Sequence, residues 1–216
     1  MVQMTQFGST EEWLMARRLV GGSDAAALVG MSPYRNNVTL WKEKTGRQKP
    51  PDISDLPYVK FGHDAEPHLR ALFALDHPEY EVHYWPDNMW TNSKFPFAHA
   101  SLDGWLTEKE TGRRGLLEIK TTSVMQSSQW EQWDGRIPDQ YFVQVLWYMM
   151  VTEFDFAVLK ARIKSEWRGI PKVSIRHYTI ERSEVIKDIE ELIKAAEKFW
   201  KAVQEDREPP LILPPI

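Results

Sequence analysis

The amino-acid sequence predicts an α/β fold, a central mixed β-sheet flanked by helices. Three observations carry that expectation. Capped, helix-periodic segments open the chain, short β-forming runs crowd the middle, and a helix, two strands and a helix follow them. A length of 216 residues suits a single domain, residues 1–216. Hydrophobic residues at 42% supply a core, and charged residues at 27% supply a solvated surface.

Ser9 followed by Glu12 has capping-box spacing ahead of WLMARRL. Ser23 is placed to cap the short helix DAAALV, which Gly30 would end. Asn37 is the expected cap of VTLWKEKT, before Gly46. Leucines and alanines recur at helical spacing from Ala65 to Leu75. Then YEVHYW, NMWTN, AHASLDGWL and GLLEIKTT read as strands, with KETGRRG as the turn joining the last two. Pro138 opens a helix through DQYFVQVLWYMMVTE, apolar on most faces and therefore expected to be buried. DFAVLKARI and VSIRHYTIE are two more strands, with WRGIPK between them. An amphipathic helix is expected from about Ser183 to Val203, and the proline-rich tail EPPLILPPI, 208–216, follows.

Several classes are excluded early. No apolar run nears the roughly 18 residues that cross a bilayer, and the start lacks a secretory stretch. The absence of cysteine rules out disulfides and thiolate metal sites, and a cytoplasmic location fits. A net charge of −4 means that any nucleic-acid partner must meet a local basic surface rather than a basic total.

The chemistry concentrates in SLDGWLTEKETGRRGLLEIKTT. Asp103 ends a predicted strand before Gly104, and Glu118 and Lys120 lie at i and i+2 on the next one, so they share a face. Pairing of the two strands brings Asp103 beside them. Two carboxylates and an ammonium make an oxygen-rich site for a hard cation such as Mg²⁺, able to polarise a phosphoryl oxygen. Lys120 could orient a water or offset developing charge. The plain alternative is a solvated strand with a cross-strand ion pair, although charges embedded in LLEIK are costly if unused.

Other residues join this set. Glu66 in FGHDAEPHLR supplies a further carboxylate if its helix crosses the sheet edge; otherwise it is a surface glutamate. Gln144 and Tyr141 form a polar pair on an apolar helix and need a partner, either the site or a plain core hydrogen bond. Arg17 and Arg18 precede Gly21, Gly22 and Ser23, where helix-start N–H groups and a guanidinium can cradle a phosphate.

Together these pieces resemble the lambda-exonuclease-like phage recombination nucleases, often called YqaJ-like, of the PD-(D/E)XK superfamily. The carrying stretches are Trp13–Arg17 as W-x-x-x-R, GGSDAAALVGMSPYRNNVTLWKEKTGR, FGHDAEP, LDGWL, LLEIKTTS and DQYFVQVLWYMMVT, in family order over residues 13 to 152. Leu102 stands where the superfamily has its proline. The resemblance implies a restriction-endonuclease-like fold with a DNA-end-binding part at 9–50 and a catalytic core at about 60–203. It implies Asp103, Glu118 and the Ile119 carbonyl as ligands of Mg²⁺, with Mn²⁺ as a substitute, and Glu66 as a further or water-mediated ligand. Lys120 would be the catalytic lysine, assisted by Gln144 and Tyr141. Arg17, Ser23 and Ser101 would hold a DNA 5′-phosphate, and Val59 or Tyr58 would be the wedge that splits the terminal base pair.

The implied activity is 5′→3′ degradation of one strand of duplex DNA to mononucleotides, leaving a 3′ overhang. The implied assembly is a ring-shaped homotrimer working with a single-strand annealing recombinase. Arg35, Lys42, Lys44, Arg47 and Lys49 are then expected to face the channel. Two other classes stay open at this point. One is an endonuclease with the same metal chemistry. The other is a non-enzymatic binding module using some of the 10 tryptophans, although Trp41, Trp147 and Trp200 sit in apolar runs and read as core. A zinc site at His63 and His68 is disfavoured, because five residues apart they diverge on a helix.

Overall fold

The structure is a computed structural model that describes residues 1–213 apart from Arg168. The N-terminal part comprises β1 (Val2–Gln6), α1 (Thr10–Ala16), α2 (Gly22–Leu28), α3 (Asn37–Lys44) and α4 (Pro57–Asp76). Strands β2 (Tyr80–His83), β3 (Asn88–Asn92), β4 (His99–Ala100), β5 (Gly104–Glu108) and β6 (Arg114–Val124) fill the middle. After them come α5 (Ser127–Glu131), α6 (Asp139–Thr152), β7 (Phe156–Trp167), β8 (Ile170–Glu181) and α7 (Ile186–Gln204).

The larger sheet has the order β2-β5-β6-β7-β8. It is mixed as expected: β6 and β7 run parallel, and the other neighbours are antiparallel. A parallel pair needs a crossover, and α6 lies on that crossover. Strand alternation sorts the core into two layers. Leu116, Leu159 and Ala161 pack on the α6 side with Trp147 and Met149. Leu117, Ile119 and Val158 pack on the α4 side with Leu69 and Phe73.

A second, three-stranded sheet of order β1-β3-β4 was not anticipated. AHASLDGWL, read as one strand, is divided between the two sheets, with Asp103 at the seam. The cause is a buried side chain. Asn88 accepts from the Leu102 N–H at 3.0 Å and donates to the Leu102 carbonyl at 2.9 Å, so an amide replaces the backbone ladder where the chain changes sheets.

Several boundaries move for local reasons. Ser9 caps α1 through the Glu12 N–H at 3.2 Å, as expected. Gly21, not Ser23, is the cap residue of α2, with the Asp24 carboxylate accepting its N–H at 2.9 Å. Glycine at 22 reflects close packing, since a Cβ there would lie 2.2 Å from the Tyr148 ring. Asn36, not Asn37, caps α3 by accepting from Thr39 at 2.8 Å. Asn37 instead pins the tail: it donates to the Pro210 carbonyl at 2.8 Å and accepts from the Ile212 N–H at 2.9 Å. Helix α4 starts at Pro57, well before Ala65, because proline suits a first helical position; Pro67 inside it removes one ladder bond. Strands β7 and β8 extend into WRGIPK, of which Arg168 lies outside the described residues, as do residues 214–216 of the tail.

Candidate active site

The parallel register of β6 and β7 buries Glu118 beside Leu159, and Lys120 emerges on the same face. Lys120 Nζ lies 2.5 Å from Glu118 Oε1. Glu118 is only 1% exposed, and its second oxygen, Oε2, has no hydrogen-bond partner. Asp103, at the seam, accepts the Ile119 N–H at 2.8 Å, which fixes it against β6. Helix α4 adds Arg70, which donates to the Asp103 carbonyl oxygen and, at 2.8 Å, to Glu66 Oε1. The Arg70 guanidinium lies 3.5 Å over the Tyr84 ring.

The electrostatics follow from burial and crowding. Burial, then the Glu118 and Glu66 charges, hold the Asp103 carboxyl well above the usual carboxylate range. Burial likewise raises Glu118, against the opposing pull of Lys120. For Lys120 burial acts downward, but the Glu118 and Asp103 carboxylates outweigh it and keep the ammonium protonated. Burial, then Glu118, raises the Tyr148 phenol. Crowded carboxylates with an unpartnered, buried acceptor are what a hard cation relieves. Among the described residues no three His, Cys, Asp or Glu side chains form a ready-made metal cluster. A cation here would therefore combine the Asp103 and Glu118 carboxylates with main-chain or water oxygens, a donor set that fits Mg²⁺. His63 lines the cavity without a second histidine, so the zinc alternative gains nothing.

A cavity of about 220 Å³ opens beside these groups, lined by Tyr58, Val59, Gly62, His63, Glu66, Asp103, Ile119, Lys120 and Thr121. The structure thus brings together Asp103, Glu118, Ile119, Lys120, Glu66 and both wedge candidates; Tyr58 remains 66% exposed on the first turn of α4. Tyr141 lies under Lys120, whose Nζ is 5.1 Å from the ring centroid. Gln144 donates to the Tyr148 hydroxyl at 2.8 Å, so its partner is a residue the sequence reading missed. Arg17 and Ser101 meet through Trp13: the guanidinium sits 4.2 Å over the indole, and the indole N–H donates to Ser101 Oγ at 3.2 Å. Ser23 is exposed on the first turn of α2.

Three of the five basic residues expected to face the channel are engaged in ion pairs within the chain. Arg35 pairs with Asp24 and Glu43, Lys44 pairs with Asp24 at 2.7 Å, and Arg47 pairs with Asp206 at 2.7 Å. Their acidic partners come from other elements or from a different turn of the chain, so spacing alone did not reveal them. Lys42 and Lys49 carry no such ion pair among the described residues. Three further residues at the site were missed. Arg70 had a readable signal, i+4 from Glu66, and so did Tyr148, i+4 from Gln144. Tyr34 had none; largely exposed, it stands near Tyr141, Tyr58 and Lys120.

The alkaline exonuclease of Laribacter hongkongensis shares this fold with a TM-score of 0.65 at 19% identity, over 91% of this chain and 94% of that one. The same enzyme solved in complex with dAMP matches at 0.64 and 20% identity, over the same shares of both chains. A phage-related exonuclease of Haemophilus somnus 129PT matches at 0.52 and 13%, over 87% of this chain and 96% of that one. The architecture is thus the PD-(D/E)XK-like one expected, seen in alkaline exonucleases. Residues 12–155 match the YqaJ-like viral recombinase domain, and the chain belongs to that family. The uncharacterized protein YqaJ of Bacillus subtilis (strain 168) is 30% identical over 211 residues, 89% of this chain. The chain spans 56% of that relative's length. No helix among the described residues is long and apolar enough to cross a membrane.

Proposed function

We propose that this protein is a Mg²⁺-dependent deoxyribonuclease that degrades one strand of a duplex from its 5′ end. It releases mononucleotides and leaves a 3′ overhang for recombination by strand annealing. One observation carries the reading: the Glu118–Lys120 pair is buried beside Asp103 with a carboxylate oxygen unpartnered. Membership of a viral recombinase family and a fold shared with alkaline exonucleases support it.

Asp103, Glu118 and the Ile119 carbonyl would hold the ion, with Glu66 as a further or water-mediated ligand and Mn²⁺ as a substitute. When bound, the ion supplies charge neutralisation at the phosphoryl group and an acidified water. Lys120, kept protonated by its two carboxylates, donates to a water or phosphoryl oxygen and offsets charge in the transition state. Gln144 fixes the Tyr148 hydroxyl, and Tyr141 bounds the lysine's position. Arg17, Ser23 and Ser101 hold the 5′-phosphate, which sets the end of the strand relative to the reacting bond. Tyr58 or Val59 wedges the terminal pair apart. The working form is a homotrimeric ring in the cytoplasm, acting with an annealing recombinase.

The test uses linear duplex carrying a 5′-phosphate on one strand, with and without Mg²⁺. Wild type is expected to release mononucleotides from the phosphorylated strand only when the ion is present. Asp103→Ala and Lys120→Ala should each lower the rate by about a hundredfold or more. Substantial cleavage by either variant removes that residue from its role. A covalently closed circle should stay intact, and cutting it would favour an endonuclease.

A further inference from the structure

Beyond the catalytic cavity the α4 side of the larger sheet continues as an uncovered face. Thr121, which lines the cavity, is the register partner of Arg162 on β7, and Ser123 is the partner of Lys164. Arg162 lies on the α4 side, because its guanidinium sits 4.9 Å over the ring of Phe61. Lys164, two residues on, shares that face and is exposed. Neither cation has an ion pair among the described residues. Phe61 is 45% exposed one helical turn after Tyr58, so two aromatic side chains of α4 and Arg162 border the cavity, with Lys164 two residues further along β7. On β8, Ile175 and Val173 pair with Arg162 and Lys164 and are 40% and 49% exposed, extending the face as an apolar shelf. The exposed Glu166, next on the same face of β7, ends the basic stretch.

Exposed aromatics interleaved with unpaired cations suit a flexible polyanion with stacking faces. A duplex keeps its bases stacked inside and offers the aromatics nothing. We propose that the surface from Tyr58 and Phe61 to Arg162 and Lys164 binds single-stranded DNA, the strand left unpaired as its complement enters the cavity. Phosphates engage Arg162 and Lys164, and bases stack on Phe61 and Tyr58. The strand's identity rests on the nuclease reading above; the binding surface does not.

The experiment measures binding of a fluorescent single-stranded oligonucleotide by anisotropy across a salt series, in EDTA so that nothing is cut. The proteins are wild type, the double variant R162Q/K164Q, and Phe61→Ala. Removing two phosphate contacts should lower the slope of log affinity against log salt by about 1.4. Phe61→Ala should weaken binding about tenfold and leave the slope unchanged. Melting temperatures close to wild type would show that both variants fold. Wild type that fails to bind the oligonucleotide, or a double variant with the wild-type slope, overturns the surface. Binding with the predicted slopes in a protein that never hydrolyses DNA upholds the surface and refutes the nuclease reading. Hydrolysis with unchanged slopes does the reverse.

Discussion

Two aspartates, Asp24 buried and Asp103 half-buried, carry opposite electrostatics. Asp24, in the corner between α2 and α3, meets Lys44, Arg35 and the Gly21 N–H. Burial pushes its carboxyl up, but those partners more than compensate and hold it below the usual range. Asp103, at the seam between the sheets, meets Glu118 and Glu66, and its carboxyl is held well above that range. Positive and negative groups match in the first corner, so it locks helices together. In the second, carboxylates are in excess and one acceptor oxygen is unpartnered, the imbalance that the proposed cation would relieve. Asp24 and Glu43 face two cations in the first cluster, whereas Asp103, Glu118 and Glu66 face only Lys120 and Arg70 in the second; that balance distinguishes scaffold from site.

The contrast can be broken by substitution. Asp24→Ala leaves Lys44 without its carboxylate and Arg35 with Glu43 alone, and should cost about 3 kcal/mol of stability in urea unfolding. Asp103→Asn without divalent ion should have the opposite sign, raising the melting temperature; Mg²⁺ should stabilise wild type and leave this variant unchanged. A loss of stability in Asp103→Asn comparable to that of Asp24→Ala would erase the distinction.

Acid sharpens it. His99, buried beside Gly21, is held neutral with a pKa lowered to about 4 by burial and then by Arg17. The unfolded chain binds this proton near pH 6.5, so the stability is present above that value and is lost as pH falls towards 4. A shift of this size corresponds to a loss of about 3 kcal/mol across that window. His99→Gln should flatten the dependence in denaturant unfolding at stepped pH; an unchanged profile would rule His99 out as its source. The smallest effect concerns the tail. Asn37→Ala should cost about 1–2 kcal/mol and speed proteolysis of residues 208–213, with DNA cleavage unaffected. Equal protease resistance would show that Asn37 does not hold the tail.

The difference also explains what the sequence disclosed. Glu118 and Lys120 were legible because alternation along one strand is local, and Asp103 because a short hairpin returns it to the same place. The seam at Asp103 was not legible, since it depends on Asn88, a side chain from another strand. Helix caps were displaced by one or two residues because Asn36 and Asn37, like Gly21 and Ser23, are chemically plausible neighbours that only packing separates. Arg35 and Lys44 looked available for DNA because their partner, Asp24, lies on a different helix.

Asn88 does more than divide a strand. Its side-chain amide grips Leu102, the residue before the acid, and its main-chain carbonyl accepts from the indole of Trp13 that carries Arg17 and Ser101. The groups proposed to hold the phosphate and the ion are therefore both referenced to one residue, its side chain setting the acid and its backbone setting the indole. A random mutagenesis screened for dead enzyme should recover Asn88 alongside the carboxylates.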